Sequence, residues 1–97
     1  MRLRGRIDAN QKALVAHAES YGASWLSMTA LGDGKPDGIL GYQGHDFKVE
    51  FKTEKGTLTD DQRGFISTWR GSPVYVVKTT MDIDRLFATA HTTPRRG

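Results

Sequence analysis

The run Asp37-Gly38-Ile39-Leu40-Gly41-Tyr42-Gln43-Gly44-His45-Asp46-Phe47-Lys48-Val49-Glu50-Phe51-Lys52 decides the fold. Apolar side chains alternate with small and polar ones on either side of a glycine-containing turn, the pattern of an antiparallel β-hairpin. In such a ladder the numbers of directly opposed residues have a constant sum, and opposed residues point to the same side of the sheet. A turn at Gln43-Gly44 sets Asp37 against Glu50. A turn at Gly44-His45 sets Asp37 against Lys52. Either register leaves Asp37, Glu50 and Lys52 on one face, with opposed neighbours roughly 5 Å apart. Leu40, Tyr42, Phe47, Val49 and Phe51 then share the other face, which is suited to packing against a helix.

Working outward, Asp8 and Gln11 resemble a capping box, and Leu14, Ala18 and Tyr21 recur at helical spacing until Gly22 stops the run. A strand is expected from Ser24 to Leu31, carrying Trp25 and Met28. The loop Gly32-Asp33-Gly34-Lys35-Pro36 delivers the chain into Asp37. Beyond the hairpin, Lys55-Gly56 breaks the strand, and Thr59 with Gln62 forms a second capping box. The helix it opens carries Phe65, Ile66 and Trp69 on one stripe and is expected to end at Gly71. After Pro73, Val74-Tyr75-Val76-Val77 reads as a buried strand. A third helix starts near Thr80, with Ile83, Leu86, Phe87 and Ala90 at helical spacing, and His91 to Gly97 reads as a basic tail. The order is αβββαβα. It predicts an α/β domain with a mixed β-sheet flanked by helices, spanning residues 1 to 97 and including a basic N-terminal arm of residues 1 to 7.

The chain has 97 residues and no cysteine, so disulfides, thiolate catalysis and Cys-ligated metal centres are excluded for it. No apolar run approaches the roughly 20 residues of a membrane span, and a cytoplasmic protein is expected. The net charge of +3 is uneven. Arg2, Arg4, Arg6, Arg95 and Arg96 lie at the ends, and removing them leaves nine basic against eleven acidic side chains. Basic ends attract a phosphate backbone, and an acidic centre within them suits a cation acting on that backbone.

Phosphodiester hydrolysis needs an activated water, relief of charge on the non-bridging oxygens and stabilisation of the leaving alkoxide. Carboxylate oxygens of Asp37 and Glu50 are hard ligands suited to Mg²⁺ or Mn²⁺. Lys52, two residues along the same face, is placed to orient or deprotonate the water and to offset charge.

At these residues the chain resembles the PD-(D/E)xK nuclease superfamily: Pro36-Asp37 matches the first half of its signature and Glu50-Phe51-Lys52 the second. The glycine-rich loop before Pro36, the continuation Thr53-Glu54-Lys55-Gly56-Thr57-Leu58-Thr59, Gln62, the strand from Val74 and the opening Asp8-Ala9-Asn10-Gln11 are similar to the compact VRR-NUC branch, including small phage-encoded members. The resemblance implies a restriction-endonuclease-like core and metal-dependent endonuclease activity on DNA, often at four-way junctions or flaps. It also implies metal binding by the backbone carbonyl of Phe51 and a position for Gln62 beside the site. Many relatives carry a first-helix glutamate as a further ligand; here Asn10 is its neutral counterpart. Lys35 and Lys55, with Arg2, Arg4 and Arg6, are the expected DNA contacts, and a homodimer would match a symmetric junction. The competing readings are a non-catalytic DNA-binding or assembly module, and an exonuclease or RNA-directed nuclease using the same centre.

Each signal has a plain structural counterpart. Pro-Asp initiates turns, Glu-x-Lys occurs on solvated strand faces, and Gln62 has a complete explanation as the cap partner of Thr59. Lys48 solubilises a strand or grips phosphate. Trp25 and Trp69 are expected to pack in the core rather than stack on bases, and Asp60 and Asp61 complement a helix dipole. His17, His45 and His91 have no zinc-like spacing and are expected at the surface.

Overall fold

The computed structural model describes residues 9–92, and within them the order αβββαβα is observed. Helix α1 spans Ala9–Ser20, strand β1 Ser24–Ser27, β2 Gly38–Tyr42, β3 His45–Phe51, helix α2 Asp60–Thr68, β4 Val74–Val77 and α3 Thr80–Thr92. The strands form one mixed sheet in the order β1-β2-β3-β4, with the first three antiparallel and β4 parallel to β3. The expected arms fall largely on Arg2, Arg4, Arg6, Arg95 and Arg96, which lie, with Asp8, outside the described residues.

Turn chemistry selects the hairpin register. Gln43 and Gly44 both have positive φ, 51° and 79°, as a two-residue type I′ turn requires. Tyr42 therefore pairs with His45, Leu40 with Phe47 and Gly38 with Val49. The ladder ends at Gly38 and Val49, and the Asp37 N–H also turns to the Val49 carbonyl, so Asp37 and Gly38 together face Val49, and Asp37 lies near Glu50 without being its ladder partner.

The expected apolar face is the core. Leu40, Tyr42, Phe47, Val49 and Phe51 are buried under Leu14 and Ala18 of α1 and Ile83, Leu86, Phe87 and Ala90 of α3. Phe87 stacks on Tyr42 at 4.1 Å between ring centroids. His17 Nε2 and the Tyr21 hydroxyl both meet Asp84 Oδ1, tying the two helices together at their solvent edge. His17 is thus a half-buried helix staple. His91 pairs with the Tyr42 hydroxyl and belongs to α3, so the helix continues past the expected start of the tail.

Four expectations are corrected. The first strand stops at Ser27, and Thr29–Leu31 is a 3-10 turn. Met28 N–H still reaches the Asp37 carbonyl, but β2 begins at Gly38 and offers no further partner, so the chain satisfies Leu31 N–H locally on the Met28 carbonyl. Helix α2 ends at Thr68, before Gly71, because the Thr68 hydroxyl bonds back to the Gly64 carbonyl and Trp69 turns extended. Strand β4 occupies a sheet edge, which leaves Val76 37% exposed and buries only Val77. No residue of α2 is buried, and Trp69 is 48% exposed. The helix is short and lies by the sheet face that carries Glu50, and among the described residues no second helix closes over it.

Gly38 is set by close approach. A Cβ there would lie 2.2 Å from the Leu26 carbonyl oxygen and 2.4 Å from the Trp25 ring, which itself packs against Phe51 at 5.5 Å. Gly38→Ala is expected to cost about 2 kcal/mol through this overpacking, seen as a Tm drop of about 10 °C in thermal denaturation. An unchanged Tm would show that β1 yields without loss.

Candidate active site

The site lies where β2 begins and β3 ends, on the sheet face opposite the core. Asp37 is anchored at both ends of the residue: its N–H donates to the Val49 carbonyl at 3.0 Å, and its Oδ2 accepts the Phe51 N–H at 2.7 Å. The aspartate thus takes over the sheet pairing of Phe51 on that side, which holds its carboxylate against the end of β3. Lys52 N–H closes the opposite side by donating to the Val77 carbonyl of β4. These backbone bonds make the end of β3 a rigid platform.

Glu50 is buried, with 3% of its surface exposed. Its Oε2 accepts from Gln62 Nε2 at 2.7 Å and lies 3.9 Å from Lys52 Nζ. Gln62 performs two tasks. Its Oε1 accepts the Thr59 N–H while its own N–H donates to Thr59 Oγ1, completing the capping box, and its amide nitrogen reaches the glutamate. The cap and the site contact are therefore compatible, because the amide has a separate acceptor and donor end.

Burial first and the nearby Asp37 charge second push the Glu50 carboxyl up to about 7, against the opposing charge of Lys52. A cation sharing the site favours the charged form of such a carboxyl, as Lys52 does here from 3.9 Å.

The other candidates are distributed around this centre. Asn10 Nδ2 donates to the Lys52 carbonyl at 3.1 Å, so it ties α1 to the site's strand through the backbone. Its neighbour Gln11 is buried on the same helix. Lys35 is exposed in the loop preceding Asp37, and Lys55 is exposed in the turn after β3. Asp60 and Asp61 occupy the first turn of α2, with Asp60 bonded to Arg63. His45 is half-buried beside Phe47, away from the two carboxylates on the opposite sheet face. Among the described residues no group of three or more His, Cys, Asp or Glu side chains is arranged to hold a metal ion. The acidic donors at this centre are two.

Trp69, expected in the core, lies at the surface beside Lys48. The Lys48 ammonium meets Ser72 Oγ and lies 5.4 Å from the centre of the Trp69 ring. A signal was present: Trp69 follows Gln62 by seven positions, two helical turns, so a helix that brings Gln62 to Glu50 turns Trp69 toward the same sheet face.

Compared with known proteins, the chain matches no family model, no curated protein and no solved structure at a significant level. No helix among the described residues is long and apolar enough to cross a membrane.

Proposed function

We propose that the chain is a divalent-metal-dependent endonuclease that hydrolyses DNA phosphodiester bonds, with Asp37, Glu50 and Lys52 as its catalytic residues. The observation that carries this reading is the Glu50 carboxylate, buried on the same sheet face as Asp37 and met by both Gln62 and Lys52. A strand that only needed solubility would not bury an acid there.

The donor set fits one hard cation: the carboxylates of Asp37 and Glu50 and the backbone carbonyl of Phe51 would hold Mg²⁺ or Mn²⁺. When bound, that ion supplies Lewis acidity toward a phosphate oxygen and lowers the pKa of water. The chain's own residues supply position. The Phe51 N–H fixes the rotation of Asp37, and Gln62 fixes that of Glu50. Lys52, largely buried with its ammonium near the glutamate, orients the attacking water and offsets charge building on the phosphoryl oxygens. The exposed Lys35 and Lys55 flank this centre in sequence and would grip neighbouring phosphates, with the terminal arginines adding non-specific attraction. Branched DNA and a homodimer belong to the same proposal through the resemblance.

The test is cleavage of labelled four-way junction, flap, single-stranded and linear duplex DNA in Mg²⁺, Mn²⁺ or EDTA. Cutting should require the metal, and Lys52→Ala should slow it by about 100-fold or more. Equal cutting by that variant, or cutting in EDTA, sinks the mechanism. Tight binding without cutting in either metal would instead favour a binding module. Sizing with and without junction DNA tests the dimer, which a strict monomer in both would remove.

A further inference from the structure

Strand β3 and helix α2 run alongside each other in opposite directions. Gln62, in the first turn of α2, meets Glu50, while Trp69 beyond its last turn lies by Lys48. Lys48, Glu50 and Lys52 alternate along one face of β3, so the indole borders the same surface as the two carboxylates. At 1.5 Å per residue, Gln62 and Trp69 are separated by about 10 Å along the helix.

Trp69 has 48% of its surface exposed, an unusual cost for the largest apolar side chain. Its plane is nonetheless set, because it stacks on Phe65 with 5.2 Å between centroids and 17° between rings. Phe65 and Ile66 are half-buried beneath α2 and hold the helix on the sheet. Lys48 sets its ammonium over the ring, where an incoming base would displace it toward that nucleotide's phosphate, and the adjacent Arg70 is exposed. An oriented aromatic surface bordered by cations is matched to a flat π-system attached to a phosphate chain.

We propose that Trp69 is a stacking platform for an unpaired base of a DNA strand, with Lys48 pairing to the phosphate of the stacked nucleotide. Every base offers a π-face, so such a platform selects for unpaired structure rather than sequence. Duplex bases present their faces to one another and cannot use it. A strand leaving a flap or junction can, and this places its phosphates along β3 toward Asp37 and Glu50. The placement of those phosphates rests on the nuclease reading, whereas the stacking is measurable without cleavage. A second copy of the chain is the competing occupant, but the cations beside the indole favour a polyanion.

The chain has two tryptophans, so Trp25→Phe leaves Trp69 as the sole indole reporter. In EDTA, the fluorescence of that variant should be quenched saturably by a single-stranded oligonucleotide and much less by a blunt duplex of equal length. Trp69→Ala in the otherwise unchanged chain should weaken single-strand binding about 10-fold and duplex binding less than about twofold. Trp69→Phe, which keeps an aromatic face, should recover most of the loss. Absence of quenching, or equal loss on both DNAs, overturns the inference. So does conversion of a dimer to a monomer by Trp69→Ala, which would assign the indole to a protein interface. Failure of the nuclease reading looks different: quenching and the single-strand preference persist while no metal supports cutting.

Discussion

Asp37→Asn is expected to lower DNA cleavage by about 10³-fold or more while leaving the fold intact. The asymmetry follows from what each oxygen does. Asp37 Oδ2 accepts the Phe51 N–H, and an asparagine carbonyl oxygen accepts the same bond, so the anchor of β2 on the end of β3 survives. The negative charge does not survive, and on the proposed nuclease reading a hard-cation ligand beside Glu50 goes with it. DNA binding in EDTA should be unchanged or tighter, because a charge that repels phosphate has been removed. Single-turnover cleavage, binding in EDTA and thermal denaturation of the same variant separate the possibilities. A fall in Tm that tracks the loss of activity would make Asp37 a structural residue and withdraw its catalytic role.

Glu50→Gln should stabilise the metal-free protein at alkaline pH by an amount on the order of 3 kcal/mol. The carboxyl sits near 7 in the folded chain against an ordinary value of 4.5, with burial the main cause and Asp37 the second. A folded pKa above the unfolded one means that the native state binds the proton more tightly. The associated stability is therefore present below pH 4.5 and is lost as pH rises through 7. Glutamine removes the titration and keeps an acceptor for Gln62 Nε2. Denaturation in EDTA from pH 4 to 8 should show the wild type and variant converging at acid pH and diverging above neutrality. Added Mg²⁺ should narrow the gap at pH 8 by stabilising only the wild type. Parallel profiles across the range would refute the account.

Both predictions depend on features with different origins. That Asp37 and Glu50 share a face was legible in the hairpin, because strand side chains alternate with period two and opposed residues match in side. The sequence left two turn registers open; positive φ at Gln43 and Gly44 selects the one that pairs Tyr42 with His45. The capping box at Thr59 was legible because it is local. Helix α3 was legible because its apolar repeat is strong, although the run of His91 into that helix was not, since Tyr42 holds it from another element.

Besides element ends, the expectations that failed concern which surfaces meet. An apolar strand such as Val74 to Val77 reads as buried whether it lies in the middle of a sheet or at its edge, because β-branching reports backbone preference and not the number of neighbours. The stripe of Phe65, Ile66 and Trp69 reads as core by the same helical spacing that serves α3. What differs is that α1 and α3 share one sheet face while α2 lies alone on the other.

By itself, then, the sequence determined the element order, the two chemical sides of the hairpin and the company of Asp37, Glu50 and Lys52, all of which follow from short-range periodicity and turn chemistry. Only tertiary structure decided that Glu50 is buried under Gln62, that its proton affinity is raised, and that Trp69 faces water beside Lys48. Burial and proton affinity are properties of what covers a group, and that cover is supplied by residues a dozen or more positions away.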